Sequence, residues 1–207
     1  MEIIWIVFAF LQVSRVSLAS SQGTPTCLDD FIIPREFLAD KPRCNQFKNA
    51  FLEEVRSSNI LSEFFDFSQI SAQQFGRKME PYVSSVFKTY NIPNPVQLAH
   101  SCVDAISHCH KPLEMPVIAR VYGSTMAKIA FLGGVLDEDN AVSMALTFAN
   151  SFRESVKQYE SSDPDWKLKA LIKGCLDFLD TVHLTVKEFG HLSVLIYANE
   201  WKLVESS

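Results

Sequence analysis

Between Phe47 and Trp201 the apolar side chains recur at steps of three and four, and Pro, Gly, Asn or Asp stand wherever the rhythm stops. That spacing puts the apolar residues on one side of a helix. No segment shows the period-two alternation of a half-buried strand. The reading is therefore an all-α, single-domain bundle of five to six amphipathic helices, spanning 44–207.

The stripes set the elements. A first helix runs from about Asn45 to Ser57, with Phe47, Phe51 and Val55 in line. A second spans roughly Ser68 to Tyr90, with Phe75, Met79, Tyr82, Val83, Val86, Phe87 and Tyr90, and Pro81 should kink it. Asn94-Pro95-Val96-Gln97 supplies an N-cap, a proline at the first helical position and Gln at N3. Leu98, Cys102, Ala105, Ile106 and Cys109 follow. Pro112 and Pro116 open a fourth helix carrying Ile118, Tyr122, Thr125, Met126 and Ile129, and Gly133-Gly134 stops it. Asp137 caps a fifth, with Val142, Ala145, Ala149, Phe152, Val156 and Tyr159 facing inward. Asp163-Pro164 starts a sixth: Leu168, Ile172, Cys175, Leu179, Val182, Val186 and Phe189, ended by Gly190. Leu192 to Trp201 packs back as a further helix, with a strand as the alternative.

The N-terminus constrains the compartment. Ile3 to Val13 is an apolar run too short to span a bilayer, followed by Ser17-Leu18-Ala19 and a polar stretch. This is the pattern of a secretory signal peptide over 1–19, cleaved after Ala19 or alternatively after Ser21, although Glu2 stands where a basic residue is usual. The other reading is a buried N-terminal helix. Residues 20–43 form an irregular arm with Pro25, Pro34 and Pro42. No later apolar run approaches membrane length, so the expectation is a soluble, secreted, extracellular chain without a membrane anchor. Its net charge of −5 and lack of a Lys/Arg run argue against a nucleic-acid or anionic-membrane partner.

In an oxidising compartment the cysteines matter. Five remain after the signal: Cys27, Cys44, Cys102, Cys109 and Cys175. An odd number leaves at least one thiol unpaired within a chain. Along a continuous helix Cys102 and Cys109 stand about 10 Å apart at about 1.5 Å per residue, beyond disulfide reach, unless the helix ends before His108. Bridging Cys27 and Cys44 to Cys102 and Cys109 would pin the arm to the bundle. Each such loop of roughly 60–80 residues gives about 4 kcal/mol in the chain-entropy model. Cys175, mid-stripe, is the candidate free thiol.

Residues that could do chemistry are few. Cys102, His108, Cys109 and His110 include zinc-ligand types, but their spacing is not that of a finger, and core cysteines or half-cystines are the better reading. His100, His108 and His110 could sense pH if buried or paired. Asp137-Glu138-Asp139 breaks the calcium-loop pattern at Asp139-Asn140-Ala141. There is no G-x-S-x-G, and Gly133-Gly134 follows no strand. The chain is read as a non-enzyme with no metal and no cofactor. The Phe and Met positions are core, or the lining of a pocket for an apolar ligand.

Several segments share order and texture with a known family. Val83-Ser84-Ser85-Val86-Phe87 precedes Tyr90-Asn91-Ile92, Asn94 and Gln97-Leu98-Ala99. Tyr122-Gly123-Ser124-Thr125-Met126-Ala127 comes next, then Gly133-Gly134-Val135-Leu136. Asn140 leads into Ala145-Leu146-Thr147-Phe148-Ala149-Asn150-Ser151-Phe152. In this order the stretch from Phe47 to about Tyr159 resembles the helical globular domains of spider silk proteins (spidroins), especially the repeat modules of aciniform and tubuliform silks. Ser124 to Phe152 is also similar to part of the spidroin N-terminal domain. The resemblance implies a secreted helical bundle that acts by association with itself or other silk-type proteins. It does not imply a thread made by this chain alone, which is charged, Phe-rich and free of fibre segments. The alternative function is a secreted helical carrier of a small apolar ligand.

Overall fold

The computed structural model describes residues 41–58, 71–159, 164–184 and 186–207. All regular elements among them are helices: α1 (Pro42–Ser57), α2 (Ala72–Thr89), α3 (Pro95–Ser107), α4 (Met115–Leu132), α5 (Ala141–Gln158), α6 (Trp166–Thr181) and α7 (Val186–Ser206). Seven helices among the described residues exceed the expected five to six. The signal segment, Cys27 and Asp163 lie outside the described residues, as does the arm up to residue 40.

α4 explains the arrangement. Every residue from Val121 to Ala130 is buried, so the middle of this helix is enclosed on all sides rather than amphipathic. Around it α1 packs on α5, α5 on α6, α6 on α2, α2 on α3 and α3 on α7. α1 and α7 also pack directly on α4. One apolar cluster takes in residues from all seven helices. At its α1–α5–α6 side the rings of Phe47, Phe51, Phe148, Phe152 and Phe178 interlock. The Phe51 and Phe148 centroids lie 4.6 Å apart, and those of Phe148 and Phe178 5.0 Å. All five are fully buried, each stabilising the fold by about 1.5–3 kcal/mol through removal from water.

Local chemistry sets most boundaries. Ser71 and Gln74 form a reciprocal capping box at the start of α2, and the helix runs on through Pro81. Asn94 is left-handed (φ 52°) and makes no side-chain cap, contrary to expectation; Pro95 alone shapes the start of α3. After α4, Gly134 takes φ 70°. Its N–H donates to the Phe131 carbonyl and that of Val135 to the Ala130 carbonyl, closing a Schellman motif. The same motif ends α2, with Asn91 at φ 53°.

The sixth stripe needs correction. It does not form one helix ending at Gly190. His183 adopts φ 57°, and the N–H groups of His183 and Leu184 donate to the Asp180 and Leu179 carbonyls. This third Schellman motif ends α6 at Thr181. Gly190 lies inside α7, where an added Cβ would stand 2.8 Å from the Ile92 side chain, so its small size serves packing. α7 extends to Ser206, making the C-terminal segment a helix rather than a strand. α6 begins at Trp166, not at Pro164. α5 begins at Ala141 instead of beside Asp137. Asp137 and Asn140 trade side-chain and backbone hydrogen bonds of 2.8 and 2.9 Å in the turn before it. Ala145, Ala149, Phe152 and Val156 face inward as expected, joined by Ala141 and Phe148, whereas Val142 is 52% exposed.

Candidate functional site: an apolar cavity beside the central helix

The stripes on α2, α3, α4, α6 and α7 meet imperfectly. Between them lies a cavity of about 150 Å³. α2 contributes Met79, Val83, Val86 and Phe87, and α3 contributes Cys102, Val103 and Ile106. α4 gives Tyr122, Thr125, Met126 and Ile129, α6 gives Ile172, Leu176 and Leu179, and α7 gives Ser193, Val194 and Tyr197. None of these side chains is charged.

The few polar groups are distinctive. Thr125 Oγ1 donates to the Val121 carbonyl at 2.8 Å and is satisfied within its own helix. Tyr197 is buried, and its Oη has no hydrogen-bond partner. Two polar groups approach it closely, the Tyr122 hydroxyl and the indole N–H of Trp201, which is itself buried without a partner. The Tyr122 and Tyr197 rings meet edge to face at 5.7 Å, and Tyr197 stacks in the same way on Trp201 at 6.1 Å. Burial pushes both tyrosine hydroxyls well above their usual range, so both stay protonated.

A second, wetter cleft of about 360 Å³ lies between α2 and α6, lined by Tyr82, Ser85, Tyr90, Tyr159, Lys169, Lys173, Asp177 and Asp180 among others. It shares Val86, Ile172 and Leu176 with the apolar cavity, so those side chains divide the two spaces. Tyr82 Oη donates to Asp165 at 2.7 Å, tying α2 to the head of α6, and Lys173 pairs with Asp177 at 2.6 Å.

The cysteines do not form the expected bridges among the described residues: Cys44, Cys102, Cys109 and Cys175 are all free thiols. α3 ends at Ser107, before His108, so the continuous-helix argument against a Cys102–Cys109 bridge loses its premise; both are nonetheless unpaired. Cys44 sits on α1 with its thiol toward the Ala127 carbonyl at 3.8 Å. Cys102 lines the cavity, and burial pushes its thiol up to about 12. Cys175, the candidate free thiol, is likewise pushed up to about 12. Thiols held protonated in this way are poor nucleophiles.

Cys102, His108, Cys109 and His110 are not brought together. His108 is exposed and its Nδ1 lies 2.7 Å from the Asp104 carbonyl, while the His110 N–H donates to Glu205 at 2.9 Å. No group of three metal-ligand residues converges among the described residues. His100 lies 3.6 Å from Glu80, a partly exposed contact between α3 and α2. No described helix is long and apolar enough to cross a membrane.

Sequence reasoning missed one buried polar contact. Lys128, on the enclosed α4, forms an ion pair with Glu200 of α7. Both side chains are buried, at 2% and 7% exposure. A single cation inside the run Met126-Ala127-Lys128-Ile129-Ala130 was the available signal, since a buried charge requires a partner. Compared with known proteins, the chain matches no family model, no curated protein and no solved structure.

Proposed function

We propose that this chain is a carrier of a small apolar molecule, held in the cavity between α4 and its neighbours. The observation that supports the reading is the cavity's lining: mostly hydrocarbon side chains from five helices, with a few hydroxyls and no charge. An apolar occupant would take the apolar surface of these helices out of water, at about 25 cal/mol per Å². The reading includes secretion, on the strength of the Ile3–Val13 run and Ala19. Purification of the natural protein, solvent extraction and mass spectrometry test it. One small apolar molecule per chain is expected, and a clean extract with no saturable uptake of hydrophobic probes would count against it.

A second reading has its own observation. Val142 and Leu146 stand one turn apart on α5, 52% and 40% exposed. Such a pair suits self-association, the role implied by the resemblance to silk globular domains. Sedimentation near neutral pH and in mild acid separates the two readings. Dimers that Val142→Ser with Leu146→Ser abolishes would favour assembly, and a strict monomer would favour the carrier.

A further inference from the structure

The apolar cavity does not stand alone. The wetter cleft of about 360 Å³ adjoins it across three half-buried aliphatic side chains, Val86 of α2 and Ile172 and Leu176 of α6, each of which lines both spaces. On either side of this ridge the lining changes character. Met79, Val83 and Leu179 line only the apolar space, and Ser85, Lys173 and Asp177 line only the cleft. The same two helices therefore place a surface for hydrocarbon beside a surface for a polar group.

The apolar side sets the tail. About 150 Å³ takes a molecule the size of benzene, so a chain longer than about six carbons must reach into the cleft. The cleft sets the head. Its lysines, Lys169 and Lys173, are matched by its aspartates, Asp177 and Asp180, so it offers no net charge to an ion. Lys173 already pairs with Asp177 at 2.6 Å, and an ionic head would have to draw on that pair to replace the hydration it loses. A hydroxyl can donate to a carboxylate and accept from an ammonium at once, and it leaves the pair in place. Resting on the carrier reading, we infer that the ligand spans both spaces: a straight-chain alcohol of about eight carbons, its tail in the apolar cavity and its hydroxyl in the cleft between α2 and α6.

Calorimetric titration of the full chain with benzene, 1-hexanol, 1-octanol, octanoate and octylammonium at neutral pH tests this. Wild-type protein should bind benzene and both alcohols. The octanol should bind about tenfold tighter than the hexanol, since each further methylene taken out of water is worth about fourfold. Octanoate and octylammonium should each bind at least about threefold more weakly than 1-octanol. Ser85 is exposed and lines only the cleft, so Ser85→Trp should weaken 1-octanol about tenfold and leave benzene within about twofold. Failure of benzene and both alcohols to bind wild-type protein would refute the carrier reading itself. Benzene binding with no gain from 1-hexanol to 1-octanol would overturn only the two-space inference, and that comparison is independent of any variant. So would 1-octanol binding unchanged in Ser85→Trp. Either charged probe binding as tightly as 1-octanol would overturn the uncharged head.

Discussion

Lys128 and Glu200 offer the sharpest test of the packing. They join the most enclosed helix to the C-terminal one, and both are almost wholly removed from water. Taking two charges out of water costs several kcal/mol each, and their attraction roughly returns that cost only while both are present. Glu200→Leu leaves the Lys128 ammonium buried without its carboxylate. It should cost about 3–5 kcal/mol, as should Lys128→Met. Against a total stability of about 5–15 kcal/mol, either change is severe. The double variant removes both charges and retains apolar volume, so it should come back to within about 1 kcal/mol of wild type or exceed it. Urea unfolding of the four proteins, read by circular dichroism, gives the cycle. An exposed pair would yield single losses of under about 1 kcal/mol that simply add. That pattern would refute the enclosed placement of α4.

Other expectations are independent of the pair. His183 occupies a left-handed position (φ 57°) that disfavours side chains by roughly 1–2 kcal/mol, so His183→Gly should raise stability by about 1 kcal/mol; a loss in urea titration would speak against the Schellman ending of α6. Leu179 is buried beside the cavity, and Leu179→Ala should cost about 2–5 kcal/mol in the same assay, whereas a loss under roughly 0.5 kcal/mol would mean that face meets solvent. The Cys102 thiol, raised from 9.0 to about 12 by burial, holds its proton more tightly folded than unfolded. Its contribution is therefore complete below pH 9 and is lost as pH rises toward 12, reaching about 3 kcal/mol by pH 11. Urea midpoints measured from about pH 8 to pH 11 should fall less steeply for Cys102→Ala than for wild type.

Much of the fold follows from apolar spacing. Phe47, Phe51 and Val55 do line one face of α1. The stripes read on α2, α3 and α4 supply most of the cavity wall, including Met79, Val83, Cys102, Ile106, Tyr122 and Met126. Periodicity states which face turns inward; it does not state how well five faces fill the space between them, so the cavity itself was invisible. The break between α6 and α7 escaped for another reason. The stripe Leu179, Val182, Val186 keeps helical phase across the turn, and the left-handed residue there is His183 rather than glycine. Gly190 looked like a stop because a missing side chain signals either a turn or a close neighbour, and here the neighbour is Ile92. Val142 shares the stripe of Ala145 and Ala149 but lies in the first turn of α5, and spacing along one helix does not state how far its neighbours extend over that stripe.

The central claim is that the space beside α4 receives a ligand. Its most direct test is calorimetric titration of the full chain with benzene, alongside Val83→Trp, in which the indole grows from the half-buried α2 wall into the cavity. The account predicts one benzene per wild-type chain, with stability raised by about 2.7 kcal/mol at a hundredfold excess over Kd, and no uptake by Val83→Trp. Benzene binding undiminished in Val83→Trp, or absent from wild type, would contradict it.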